Sequence, residues 1–103
     1  MKQDETPIAT PALTAEELLA ISKLNESDLS AIHETILSNC SERWLKIALV
    51  VAKTERDLSL RFPGLSFVFY SQCVNKLVSD GLLELQGDPS FIRFSEIRKA
   101  ERH

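Results

Sequence analysis

His33 and His103 are the only histidines in the chain and Cys40 and Cys73 the only cysteines, so metal or nucleophilic chemistry would have to start from these four side chains. A zinc site needs three or four nearby His, Cys or acidic ligands. His33, Cys40 and Cys73 show no paired spacing, and no metal or other cofactor is expected. His33 reads as a partly exposed helix residue. The three glycines, at positions 64, 81 and 87, each read as a turn or a helix stop, which leaves no glycine loop to cradle a phosphate. Glu84 and Glu96 can approach across a hairpin, but paired acids on a surface hairpin read as solvated groups rather than as a general acid and base. A non-enzyme is expected, with no catalytic residue assigned.

Nucleic-acid binding would draw on cations and on amide or hydroxyl donors facing the duplex. The net charge is −3, and it is unevenly spread. Residues 1 to 40 hold two Lys against seven Asp or Glu (−5), whereas residues 41 to 103 hold ten Lys or Arg against eight acids (+2). Arg93, Arg98, Lys99 and Arg102 lie close together in sequence and read either as a solvated tail or as a local positive patch. Ser71, Gln72, Asn75 and Lys76 are the donors of the stretch 66–80, and Lys76 is its sole cation, offset by Asp80. Candidate nucleic-acid contacts are therefore Ser71, Gln72, Asn75, Lys76, Arg93, Arg98 and Lys99. Arg43, Lys46, Lys53 and Arg56 add charge farther up the chain. Since duplex affinity leans on phosphate neutralisation, this donor set is thin.

The elements that must position these residues follow from capping and periodicity. Length and an apolar content of 44% furnish one core. Residues 1–13 carry two prolines without an apolar period and are expected to be disordered; one domain follows over 14–99, with a tail at 100–103. Thr14 followed by Glu17 matches a capping box, opening a short helix with Leu18, Ile21 and Leu24 inward. Asn25 stops it and caps a second helix that buries Leu29, Ile32 and Ile36. Ser41 is the next cap, and Trp44, Ile47, Ala48 and Val51 form the stripe of a third helix, with Trp44 as a core anchor rather than a base-stacking platform. The run Arg61-Phe62-Pro63-Gly64 breaks any helix, and residues 55–62 read as helix extension or ordered loop. Ser66 caps a fourth helix to about Asp80, with Tyr70, Cys73, Val74 and Leu77 inward and Gly81 as its left-handed stop. Residues 82–86 and 91–97 alternate as strands around the turn Gly87-Asp88-Pro89-Ser90.

This order gives a mostly helical α+β fold, a winged-helix-like unit of three or four helices followed by a C-terminal β-hairpin. Trp44-Leu45-Lys46-Ile47-Ala48, the passage from Val74 to Asp88 that contains Leu77-Val78-Ser79-Asp80-Gly81-Leu82-Leu83-Glu84, and Ile92-Arg93-Phe94-Ser95-Glu96-Ile97-Arg98 together resemble the bacterial family catalogued as domain of unknown function 3658, over roughly residues 25 to 99. The helix-to-hairpin passage is also similar to many winged-helix regulators. The resemblance implies no assigned activity. Members often form the C-terminal part of longer chains, which implies an accessory or interaction module; here the domain follows a short acidic arm.

Two functions remain in view. In the first, the domain binds a protein partner or itself, through a patch made by Leu65, Phe67, Val68 and Phe69, since a helix cannot turn all of these inward; their other outcome is to pack on the loop around residues 58–62. The second is a DNA-binding regulator using the helix 66–80 and the hairpin 82–97. The absence of a secretory pattern and the unpaired cysteines suit a cytoplasmic protein, and no apolar run approaches the roughly 20 residues that span a bilayer.

Overall fold

The computed structural model describes residues 13–87 and 95–100. Among the described residues, four helices, α1 (Ala15–Ser22), α2 (Glu26–Ser38), α3 (Ile47–Leu58) and α4 (Phe67–Ser79), are accompanied by three short strands, β1 (Leu45–Lys46), β2 (Leu83–Gln86) and β3 (Glu96–Lys99). The fold is thus mostly helical α+β, as expected. All strand pairings are antiparallel and β3 lies in the middle, in the order β1-β3-β2. Leu45 and Leu85 both face Ile97 across the ladder.

One apolar cluster holds these pieces together. Ile32 and Ile36 of α2, Ile47, Val50 and Val51 of α3, Tyr70, Val74 and Leu77 of α4, and Leu83 and Ile97 of the sheet are buried in it. Phe69 and Tyr70 meet edge to face at 5.7 Å. Cys40 and Cys73 are free thiols within the same cluster. The ribbon of β2 and β3 closes it over α4 through Leu83 and Ile97. Phe91 to Phe94, the expected start of the second hairpin strand, lie outside the described residues; β3 itself continues to Lys99, two residues beyond the expected end.

Local signals explain α2 and α4. Asn25 and Asp28 form a reciprocal capping box, with each side chain accepting from the other's backbone N–H. Ser66 caps α4 by accepting from Val68 N–H, and Gly81 takes a φ of +84° just past the end of the helix, the left-handed conformation that suits glycine.

Several expectations are corrected. Leu18 does not point inward: it is 53% exposed, and Glu17 takes the buried position on α1 instead. Glu17 does not complete a capping box either; Thr14 Oγ1 accepts from its N–H, but its carboxylate reaches across to Ser66. The third helix begins at Ile47 rather than after Ser41, because Leu45 and Lys46 are drawn into pairing with Ile97 and Glu96. Ser41 Oγ accepts instead from Arg43 N–H. Trp44 therefore precedes the helix, half-buried, and is not a core anchor. Leu13, at the end of the arm expected to be disordered, packs half-buried against the core, while residues 1–12 and 101–103 lie outside the described residues.

Candidate functional site

On α4 the positions 72, 75, 76 and 79 share one solvent-facing side, since residues three and four apart on a helix are neighbours. Gln72, Asn75 and Lys76 are exposed there. Ser71 is not with them. It is only 3% exposed and its hydroxyl donates to Phe67 O at 2.8 Å, so it has no reach to a ligand and leaves the set of contacts. Lys76 Nζ is 3.1 Å from Asp80 Oδ2, a surface pair one helical turn apart. His33 of α2 feels both charges: burial first and Lys76 second lower its pKa from the ordinary 6.5, with Asp80 opposing.

The outer side of the sheet makes a second cluster. Alternation along the strands turns Leu83 and Ile97 inward and Glu84 and Arg98 outward. Arg98 Nε donates to Glu84 Oε1 at 2.7 Å across the ladder, and its guanidinium stacks 4.5 Å above the Trp44 ring. Both charged side chains remain about two-fifths exposed (39% and 40%), so the pair is a surface feature of modest energy. Lys99 is exposed, and its backbone N–H donates to Ser41 O. Arg93 lies outside the described residues. Of the proposed nucleic-acid contacts, then, Gln72, Asn75 and Lys76 are brought together on one face, while Arg98 belongs to the sheet cluster with its charge already matched.

The four residues of the proposed apolar interface are divided between the core and the surface. Leu65 and Phe69 are each 6% exposed and belong to the core, while Phe67 packs half-buried against it and Val68 is half-buried. Leu65, Phe67 and Phe69 pack in or against the common core, and the α3–α4 loop ends beside α1 through the Glu17–Ser66 bonds. Exposed large apolar groups occur elsewhere, as Leu18 and Leu19 of α1, Leu49 of α3, Leu60 and Leu82.

Periodicity alone did not locate one further place. Ala20, Lys23 and Leu24 of α1, Asp28 of α2, and Arg61, Phe62, Pro63 and Leu65 of the α3–α4 loop line a groove of about 390 Å³. Arg61 is 3.7 Å from Asp28 and its guanidinium lies 5.0 Å from the Phe62 ring centroid. The residues that build it read in sequence as a helix end and a chain breaker, and only Glu17, an acid on the buried side of a short helix, marks the contact that closes it.

Among the described residues no three His, Cys, Asp or Glu side chains converge as metal ligands, and no helix is long and apolar enough to cross a membrane. No protein-family model, no curated protein and no solved structure matches the chain.

Proposed function

We propose that this chain is a winged-helix-like, non-catalytic module, of the kind implied by its resemblance to the bacterial family of unknown function, that works in the cytoplasm by binding another protein. The layout of α2, β1, α3, α4 and the β2–β3 ribbon, with β3 between the other strands, supports the winged-helix reading. The observation that carries the choice of partner is the solvent face of α4. Where a duplex reader needs phosphate-neutralising cations, that face offers Lys76 alone, already 3.1 Å from Asp80. Docking through the start of α4, whether of another protein or of a second copy, loses support with Leu65 and Phe69 in the core.

DNA binding is the second reading, favoured by the exposed amides of Gln72 and Asn75, which suit adenine edges. Titration with random-sequence duplex DNA at about 50 and 200 mM salt separates the two. The expected result is no saturable binding at either concentration. Binding at low salt that weakens steeply at high salt, and that is lost in Lys76→Ala or Arg98→Ala, would replace the interaction module with the regulator.

A further inference from the structure

We infer that α1 is a latched strap: it opens as one unit while α2, α3, α4 and the sheet stay folded, and the contact between Glu17 and Ser66 is its latch. The strap needs no partner to open, so it stands apart from the choice between protein and DNA.

The four helices are held to the body by different means. α2 buries Ile32 and Ile36, α3 buries Ile47, Val50, Val51 and Leu58, and α4 buries Phe69, Tyr70, Cys73, Val74 and Leu77. On α1 the buried residue is Glu17, a carboxylate. Its apolar side chains hold it less firmly: Ala20 and Ile21 are only half-buried against the core, as are Leu13 before the helix and Leu24 after it, while Leu18 and Leu19 are 53% and 59% exposed. At eight residues, α1 is also shorter than the roughly 12–15 at which an isolated helix becomes even marginal in water. It has no stability of its own once its contacts part.

The fastening of α1 is therefore largely polar. The Glu17 carboxylate accepts from the backbone N–H of Ser66 at 2.7 Å and from the Ser66 hydroxyl, two charge-assisted bonds. The rest of the molecule keeps its own ties when these break. α2 starts from the reciprocal box of Asn25 and Asp28, which uses no atom of α1. α4 starts from Ser66 Oγ accepting from Val68 N–H, a cap that survives the loss of Glu17. Arg61 lies 3.7 Å from Asp28, which draws the α3–α4 loop toward α2 rather than toward α1. Lys23, Leu24 and Asn25, between the first two helices, form the hinge. Opening turns the Ser66 N–H over to water and uncovers Leu65, which faces the same groove as Ala20 and Leu24 and is 6% exposed while the strap is shut. Leu65 comes within reach of a partner only in the open form.

The test is amide hydrogen exchange in the ¹⁵N-labelled whole chain, followed by NMR at several urea concentrations below the unfolding transition. The amides of Leu18 to Ser22 should share one protection factor, at least about a hundredfold below those of Ile36, Val51 and Val74. That factor should hardly change with urea, because the urea slope follows the surface an opening exposes. Glu17→Gln should lower it about tenfold without altering its small slope. If that variant does not fold, the unsubstituted chain still decides the strap through its protection factors and slopes. Protection and slope equal to those of the core would show that α1 opens only with the whole molecule, and protection that declines residue by residue from one end would show fraying instead of a unit. No measurable protection, or an unchanged factor in Glu17→Gln, would remove the latch. Each of these results overturns the proposal.

Discussion

Cys40 and Cys73 bury their thiols in the core, and burial pushes their pKa values up to about 11 and about 12; Tyr70 rises to about 12, through burial first and then the neighbouring Cys73, Glu55 and Glu17. All three groups hold their protons more tightly folded than unfolded, so what they contribute is complete below the ordinary thiol value of 9.0 and is lost as pH climbs through the raised values. The urea midpoint should therefore stay level just below about pH 9 and decline steadily above it. The thiols should also resist a disulfide reagent until the chain unfolds, because the reactive thiolate is suppressed. A midpoint unchanged up to pH 11 would mean that the thiols and the phenol are solvated in the native state. His33 acts in the opposite sense: with its pKa lowered from 6.5, it contributes stability above that value and loses it as pH falls.

At the scale of elements, the contact between Glu17 and Ser66 joins the shortest helix to the rest of the molecule. Glu17→Ala removes both charge-assisted bonds and leaves the Ser66 N–H without its acceptor, which is expected to cost about 1.5–3 kcal/mol in urea unfolding, with Glu17→Gln losing less. A neutral alanine would show that α1 docks through Ile21 and Leu24 alone. This element also marks where local reading of the sequence stops. The fourth helix was legible from Ser66 to its glycine stop, since the cap, the apolar stripe and the terminator all lie within its own sequence. Glu17 satisfied the spacing of a capping box just as well, and nothing within three or four residues of it reveals a partner 49 positions away. The start of α3 was hidden for the same reason. Trp44, Ile47 and Ala48 keep a helical period, but Leu45 and Lys46 are held extended by a strand some fifty residues later. The groove, being made of a helix end and a loop, has no period to read at all.

For the molecule as a whole, Ile97 is the residue on which the sheet and the helices converge: fully buried, it faces Leu45 on one side and Leu85 on the other within the common core. Ile97→Ala should cost about 2–5 kcal/mol, and unfolding followed by far-ultraviolet dichroism and by Trp44 fluorescence should still coincide, since one cluster carries all the elements. Separated transitions would divide the sheet from the helical body. The expected mostly helical α+β architecture and the roles of Tyr70, Cys73, Val74 and Leu77 came from pattern alone; the third strand did not, because two residues carry no alternation to detect. That small strand leads directly into α3, whose first position has no side-chain cap, and Ile47 N–H donates instead to the backbone of Ser95 at 3.0 Å. During refolding, then, the leading turn of the third helix should stay frayed until the far end of the chain arrives, and amide hydrogen exchange at Ile47 should gain protection in step with Ile97 rather than with the rest of its own helix.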